Sequence, residues 1–390
     1  MSDIAIIVEY LRSMPWASSV WAVRLARAFV RRGQGVRILC DGAEDPEVIP
    51  PGEAGVRIEV RRPLRRLRSS DPLGFGSWVM DRLERVPGPS ISMTRWVPGD
   101  LWFAFSPPIP TVLSRAVLNR SAVTAALELL HRPWAPSAML AERRAGRIAR
   151  HWPGGFRPVL GSLVSAGLAS DLVRHGESER QALRARVRSL LDIPRDHVVL
   201  TTSGVHTERP GVHESLAGLA PAALAAGVPV QLLVFGRKTH TLRRLCDRAG
   251  VGPRARILGG TFRLDAALAA SDGGIVLGSR ADASSTGRFL ADCLRMSAPV
   301  VCSTEAAGAS QVFSSPGEGP GWVVNPAEAD GWRRGIESML DPDLRRRASR
   351  LACEVGADLT MDALANRLLD RLVDRGIRGT GGESNPSYAA

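Results

Sequence analysis

Residues 279–313 read SRADASSTGRFLADCLRMSAPVVCSTEAAGASQVF and carry the most legible chemistry in the chain. A strand end leads into a loop rich in Ser and Thr, then a helix, a short strand and a second loop of small residues. A helix start of this composition leaves backbone N–H groups free to hold an anion such as a diphosphate. Ser284, Ser285 and Thr286 stand where the helix is expected to begin, one of them as its cap. Pure capping with no ligand is the plainer alternative. Asp292, roughly two turns further on, is either an acceptor for ribose or sugar hydroxyls or an ordinary surface aspartate. Gln311 closes the second loop.

Four segments are rich in Gly, Ser, Thr or basic residues: Gly204 to Gly211, Gly236 to Lys238, Gly278 to Gly287 and Thr304 to Gln311. Arg209, Arg237 and Lys238 are their nearest cations. An arginine can clamp a phosphate with two parallel N–H donors, whereas a lysine acts as a compact charge. Fixed cations beside a departing diphosphate stabilise the transition state more than the ground state. The alternative is that one or two of them simply face solvent. His131, in ELLHRPW, ends an expected strand of the first half and can donate to a sugar hydroxyl or act as a base. A loop histidine with no such role is the competing reading. Glu128, three residues earlier, should face differently.

These residues need a scaffold of strands that end at one edge. Ile4–Val8 reads as a buried strand, followed by a helix through Val20, Val23, Leu25 and Phe29 and a strand over Gly35–Cys40. Further strands are expected at Asp100–Phe105, Val123–Leu130 and Val159–Ser165. A charged stretch over 176–196 leads to a second opening at His197–Ser203. Strands at Pro229–Phe235, Ala255–Leu258, Gly273–Leu277 and Trp322–Val324 then alternate with helices. Strand–helix alternation of this kind implies a parallel sheet covered on both faces. It occurs twice, which gives an α/β chain of two doubly wound domains. The expected divisions are 1–178, 179–358, a terminal helix over 359–377 that crosses back toward the first domain, and a disordered tail over 378–390.

The 390 residues exceed one ordinary core and suit two. Formal charge is +12, from 51 basic and 39 acidic residues. Such a surface attracts nucleotides, phosphorylated donors or acidic membrane, although an arginine-biased composition explains it equally well. No zinc finger or RNA-binding aromatic pair accompanies the charge, which argues against nucleic acid. Residues 61–68, RRPLRRLR, read as a solvated linker, with an anionic membrane as the alternative partner. The five cysteines are dispersed, with no CxxC, as expected of buried thiols in a reducing compartment. The start, MSDIAIIVEYLRS, reads as a strand rather than a signal peptide. No metal-ligand spacing, GxSxG elbow, Walker loop or GxGxxG fingerprint is present.

Several stretches together resemble the retaining GT-B glycosyltransferases of the glycogen-synthase-like "group 1" class. SAGLASDLVRHG at 165–176 is similar to the segment that ends that family's N-terminal domain. TSGVHTERPG at 202–211 resembles its phosphate loop, which contains Gly204. FGRKTHTLRRLCDRAGVGPRARILG at 235–259, ASDGGIVLGS at 270–279 and FLADCLRMSAPVV at 289–301 resemble its later donor-domain landmarks. The resemblance implies two facing Rossmann-like domains with an interdomain cleft, the C-terminal one for a nucleotide-sugar donor and the N-terminal one for an acceptor. It places His131 near an active-site acidic position of some members. It also implies retention of configuration without a metal. The departures are specific. Ser284 and Asp292, eight positions apart, stand where the family has paired glutamates. Val205 replaces its loop arginine, Pro210 its lysine, and Gln311 its later glutamate.

The expected activity is therefore transfer of a sugar from a nucleoside-diphosphate donor to a sugar, lipid-linked or small-molecule acceptor, with no separate cofactor. His131, Arg209 and Lys238 are the expected catalytic residues, and Gly204, Arg237, Ser284, Ser285, Thr286, Asp292 and Gln311 the donor-binding ones. Two alternatives stand beside it: a catalytically silent GT-B-fold subunit that binds or activates a partner enzyme, and a nucleotide-sugar epimerase. A cytoplasmic location, peripheral to the inner face of a membrane, and a homo-oligomer or catalytic partner are compatible with each.

Overall fold

A computed structural model describes residues 3–11, 18–43, 55–61, 71–94, 97, 99–102, 170, 172, 174, 176–203, 212–236, 239–259, 262–277, 283–306, 308–313, 319–326 and 328–374. Two compact units divide the chain: Met1–Ala166 with Leu364–Ala390, and Gly167–Ala363.

The first unit opens with β1 (Ile4–Leu11), α1 (Ser18–Val30) and β2 (Val36–Ala43). It continues with β3 (Val56–Val60), α2 (Pro72–Arg85), β4 (Ser90–Ser92) and β5 (Leu101–Trp102). All pairings are parallel, and the five strands run in the order β3-β2-β1-β4-β5. Alternate residues of each strand serve opposite faces. Ala5, Ile7 and Leu39 pack with Phe75 and Val79 of α2. α1 lies against β1 and β2 and buries Ala22, Leu25, Ala26 and Phe29, whose three- and four-residue spacing forms one helical stripe.

Two arginines, Arg37 buried and Arg61 half-buried, shape this unit. Arg37, on β2, sends Nη1 to the Arg82 carbonyl at 3.2 Å and Nη2 to the Val86 carbonyl, so a cation closes the C-terminus of α2. Burial pulls the Arg37 pKa below its ordinary value, opposed mainly by Glu59. Arg61 bridges Asp41 at 3.1 Å and Asp71 at 2.8 Å, and Asp71 also caps α2 by accepting from Gly74 N. The sequence placed Arg61 in a solvated linker. It instead ties the end of β2 to the start of α2, because the carboxylates on both elements converge on it. The rest of RRPLRRLR lies outside the described residues, as do the strands expected at Val123–Leu130 and Val159–Ser165. Of the strand expected at Asp100–Phe105, Leu101–Trp102 is described.

The second unit begins with α3 (Glu177–Leu190), β6 (Val198–Ser203), α4 (Val212–Ala226) and β7 (Val230–Phe235). Then come α5 (Thr239–Arg248), β8 (Ala255–Leu258), α6 (Leu264–Ala270), β9 (Gly273–Val276) and α7 (Ala283–Arg295). It continues with β10 (Val300–Ser303), α8 (Ala309–Val312), β11 (Gly321–Val324), α9 (Ala329–Leu340) and α10 (Pro342–Ala357). α11 (Met361–Asp374) spans the point where the chain rejoins the first unit. The six strands are parallel, in the order β11-β10-β9-β6-β7-β8. One face packs Leu200, Leu232 and Val301 against α4 and Trp332, Ile336 and Met339 of α9. The other carries Val276, Val300 and Cys302 under α7 and Ala352 of α10.

The charged stretch that sequence left as a lead-in is the helix α3. Its Arg184 and Arg188 reach inward to Asp272, ahead of β9, at 2.6 and 2.7 Å. Asp272 Oδ2 also accepts from Val199 N at 2.8 Å, and Arg188 donates to the carbonyls of Ala270 and His197. One carboxylate thus joins α3, β6 and β9. Asp272→Ala is expected to lower unfolding stability by about 3–5 kcal/mol, since it leaves Arg188 buried without its counter-charge. Urea unfolding followed by tryptophan fluorescence checks this, and a loss below about 0.5 kcal/mol contradicts it.

Candidate functional site

In a parallel sheet, every carboxyl strand end lies at the same edge. Ligands of open α/β sheets bind there, at the point where strand order reverses. In the second unit that point is the β6–β9 pairing, with Thr202 opposite Ile275. Thr202 Oγ1 donates to the Ile275 carbonyl at 2.9 Å, fastening the two strands near their ends. The four segments singled out from sequence leave from the ends of β6, β7, β9 and β10, so the topology sends all of them from one sheet edge.

α7 follows β9 and is held by its apolar stripe. Phe289, Leu290, Cys293 and Leu294 pack with Leu268, Val276, Val300 and Cys302. At Gly356 of α10 an added Cβ would stand 2.1 Å from the Leu294 carbonyl oxygen, so glycine permits the close approach of α10 to α7. Burial pushes the Cys293 thiol well above its usual range, with the Asp292 carboxylate adding to the effect, and it raises Cys302 likewise. These two thiols are core filling rather than nucleophiles.

The helix starts at Ala283, so Ser284, Ser285 and Thr286 fill its first turn. The expectation that one of them caps the helix is therefore corrected. Thr286 is buried on the helix, at 8% exposure. The first turn still offers backbone N–H groups at the carboxyl edge of the sheet.

Asp292 is completely buried, which removes the surface-aspartate reading. Its Oδ1 accepts from Ser170 Oγ at 2.6 Å, and its Oδ2 lies 3.6 Å from Arg288 Nε. Ser170 is itself fixed: its N–H donates to the Leu359 carbonyl at 2.8 Å, and its Oγ accepts from Leu172 N. Spacing alone could have found Arg288, four residues before Asp292 on one helix face. Ser170 lies 122 positions away, and no local signal predicts it.

After β10, Ser303 Oγ accepts from Glu305 N at 3.0 Å and Gly308 takes a left-handed conformation (φ +81°) before α8. Glycine tolerates that angle without a Cβ clash. The turn carries the backbone of Gln311 onto α8. Gly204, Arg209, Arg237, Lys238 and His131 lie outside the described residues. Among those described, no helix is long and apolar enough to cross a membrane.

No family model and no curated protein matches the chain. Solved structures do. WaaG, a glycosyltransferase involved in lipopolysaccharide biosynthesis, superposes with a TM-score of 0.62 at 16% identity, over 94% of this chain and 98% of that one. Sucrose-phosphate synthase from Thermosynechococcus elongatus gives 0.60 at 16%, over 97% and 100%. Anabaena HepE in complex with UDP and glucose gives 0.56 at 12%, over 96% and 100%. These neighbours are GT-B glycosyltransferases matched over nearly their full length, and the chain has the GT-B fold.

Asp292→Ala is expected to lower stability by about 3–5 kcal/mol and Ser170→Ala by about 1–3 kcal/mol. Chemical denaturation of the full chain reads both. A surface aspartate would leave stability within about 0.5 kcal/mol, and that result for Asp292→Ala contradicts the buried pairing.

Proposed function

We propose that this protein is a glycosyltransferase that moves a sugar from a nucleoside-diphosphate donor to an acceptor. The observation that carries the reading is the second unit's sheet. Its strand order reverses at β6–β9, and α7 begins just beyond the carboxyl end of β9. The GT-B match over nearly the whole chain supports it, as does the UDP and glucose bound in the HepE structure.

The diphosphate would rest on the first-turn N–H groups of α7, at Ser284, Ser285 and Thr286, with Gly204 allowing close backbone approach. Arg209, Arg237 and Lys238 would supply the positive charge that a departing nucleoside diphosphate needs. Such fixed cations can replace a metal, and transfer without a metal and with retention is the reaction we assign. His131 would donate to, or take a proton from, a sugar hydroxyl. Gln311 would offer a neutral amide to the donor sugar.

Asp292 is the exception in this scheme. Its carboxylate already holds Ser170 and faces Arg288, so donor recognition falls to the other residues. The same observation favours a second reading, a GT-B-fold subunit that binds a catalytic partner. Such a subunit keeps its core while its sugar-orienting carboxylates are free to change.

Calorimetric titration with UDP, GDP and ADP is expected to show binding of at least one. Arg209→Ala and Lys238→Ala should each weaken it by roughly 10- to 100-fold, in line with about 1.5–3 kcal/mol for a charge-assisted hydrogen bond. Absence of binding for all three nucleotides, together with copurification of a catalytic relative, supports the subunit instead. Binding unchanged in both variants removes the proposed clamp.

A further inference from the structure

The buried hydroxyl–carboxylate contact on α7 sits where the chain passes between units. The chain enters the second unit at Gly167 and leaves it after Ala363. Just inside those limits the two passes lie side by side: Ser170 and Thr360 form a parallel bridge, with Ser170 N donating to the Leu359 carbonyl. Both passes are then fastened to α7. Ser170 Oγ donates to Asp292 on the entering side. Arg295 donates through Nε to the Leu172 carbonyl at 3.4 Å and through Nη1 to the carbonyls of Gly356 and Ala357 at 3.2 and 3.1 Å. Thr360 Oγ1 accepts from Ala363 N and so starts α11, which carries the chain out.

We infer that Ser170 and Asp292 are a positioning pair that couples the first turn of α7 to both inter-unit chain passes. A packed helix moves as a rigid element, so a displacement at its first turn is transmitted to residues one to three turns on. Asp292 and Arg295 are the places where that movement meets the two passes. The inference rests on the donor reading for the ligand that occupies the helix start. A buried hydrogen bond to a carboxylate is short-ranged and directional, so its loss loosens first the segments that it joins.

Hydrogen-exchange mass spectrometry on the full chain, on Ser170→Ala and on Ser170→Thr tests this. Ser170→Ala is expected to speed exchange at 290–296 and 359–363 about tenfold, the equivalent of about 1.4 kcal/mol for one lost charge-assisted hydrogen bond. At exchange times too short for global unfolding, strands 198–203 and 230–235 should be unaffected, and Ser170→Thr, which keeps the hydroxyl, should restore the original rates. No change at 290–296 and 359–363, or an even rise across the second unit, overturns the pair.

A second arm adds saturating UDP, GDP or ADP. Protection at 283–296 should extend to 359–363 in the original chain and stop short of it in Ser170→Ala. Protection that reaches 359–363 in both chains overturns the coupling. Absence of protection at 283–296 with every nucleotide overturns the donor reading and the coupling with it. The first arm then still judges the fastening by itself.

Discussion

The pairing of β6 with β9 is the constraint on which the rest of the second unit depends. Because every neighbouring pair in the sheet is parallel, the chain must return over one face or the other after each strand. The returns go one way from β6 to β8 and the other way from β9 to β11. The strand ends on either side of that reversal lead to segments rich in Gly, Ser, Thr and Arg. The Asp272 carboxylate holds the opposite edge, joining α3, β6 and β9 through two arginines and a backbone N–H. A short polar contact at each edge keeps the pairing in register: Asp272 with Val199 at one end, Thr202 with Ile275 at the other.

The second unit's parallel sheet was legible because its strands are continuous apolar runs spaced by helices, whereas the short, partly polar β3 and β4 of the first unit were not expected. Val198–Ser203, Val230–Phe235 and Gly273–Val276 fall within a residue or two of where sequence placed them. The charged helix α3 was less legible because its most useful residues are arginines. Arg188 is buried and its partner Asp272 is far along the chain, so the sequence showed only a charged lead-in. Arg61 misled for the same reason. A run of arginines reads as one charge block, although this member is held by two carboxylates on separate elements.

At the candidate site, sequence identified the helix and its residue types but not their environments. Asp292 read either as an acceptor for ribose or sugar hydroxyls or as a surface aspartate; it is buried and accepts from Ser170. A short carboxylate at this position on α7 reaches the segment by which the chain enters the second unit, and that contact depends on tertiary folding rather than spacing. The same geometry explains why α7 must be packed as it is. Gly356 brings α10 against Leu294, Arg295 collects carbonyls from Leu172, Gly356 and Ala357, and the apolar stripe seals the face toward β9 and β10.

The central claim is that the start of α7, at the carboxyl edge of the six-stranded sheet, receives the diphosphate of a nucleotide. A crystal structure of the full chain with a bound nucleoside diphosphate tests it most directly. The account predicts phosphate oxygens within about 3 Å of backbone N–H groups in the first turn of α7, with Arg209, Arg237 or Lys238 alongside. A nucleotide bound elsewhere, with the first turn of α7 turned away from it, contradicts the account.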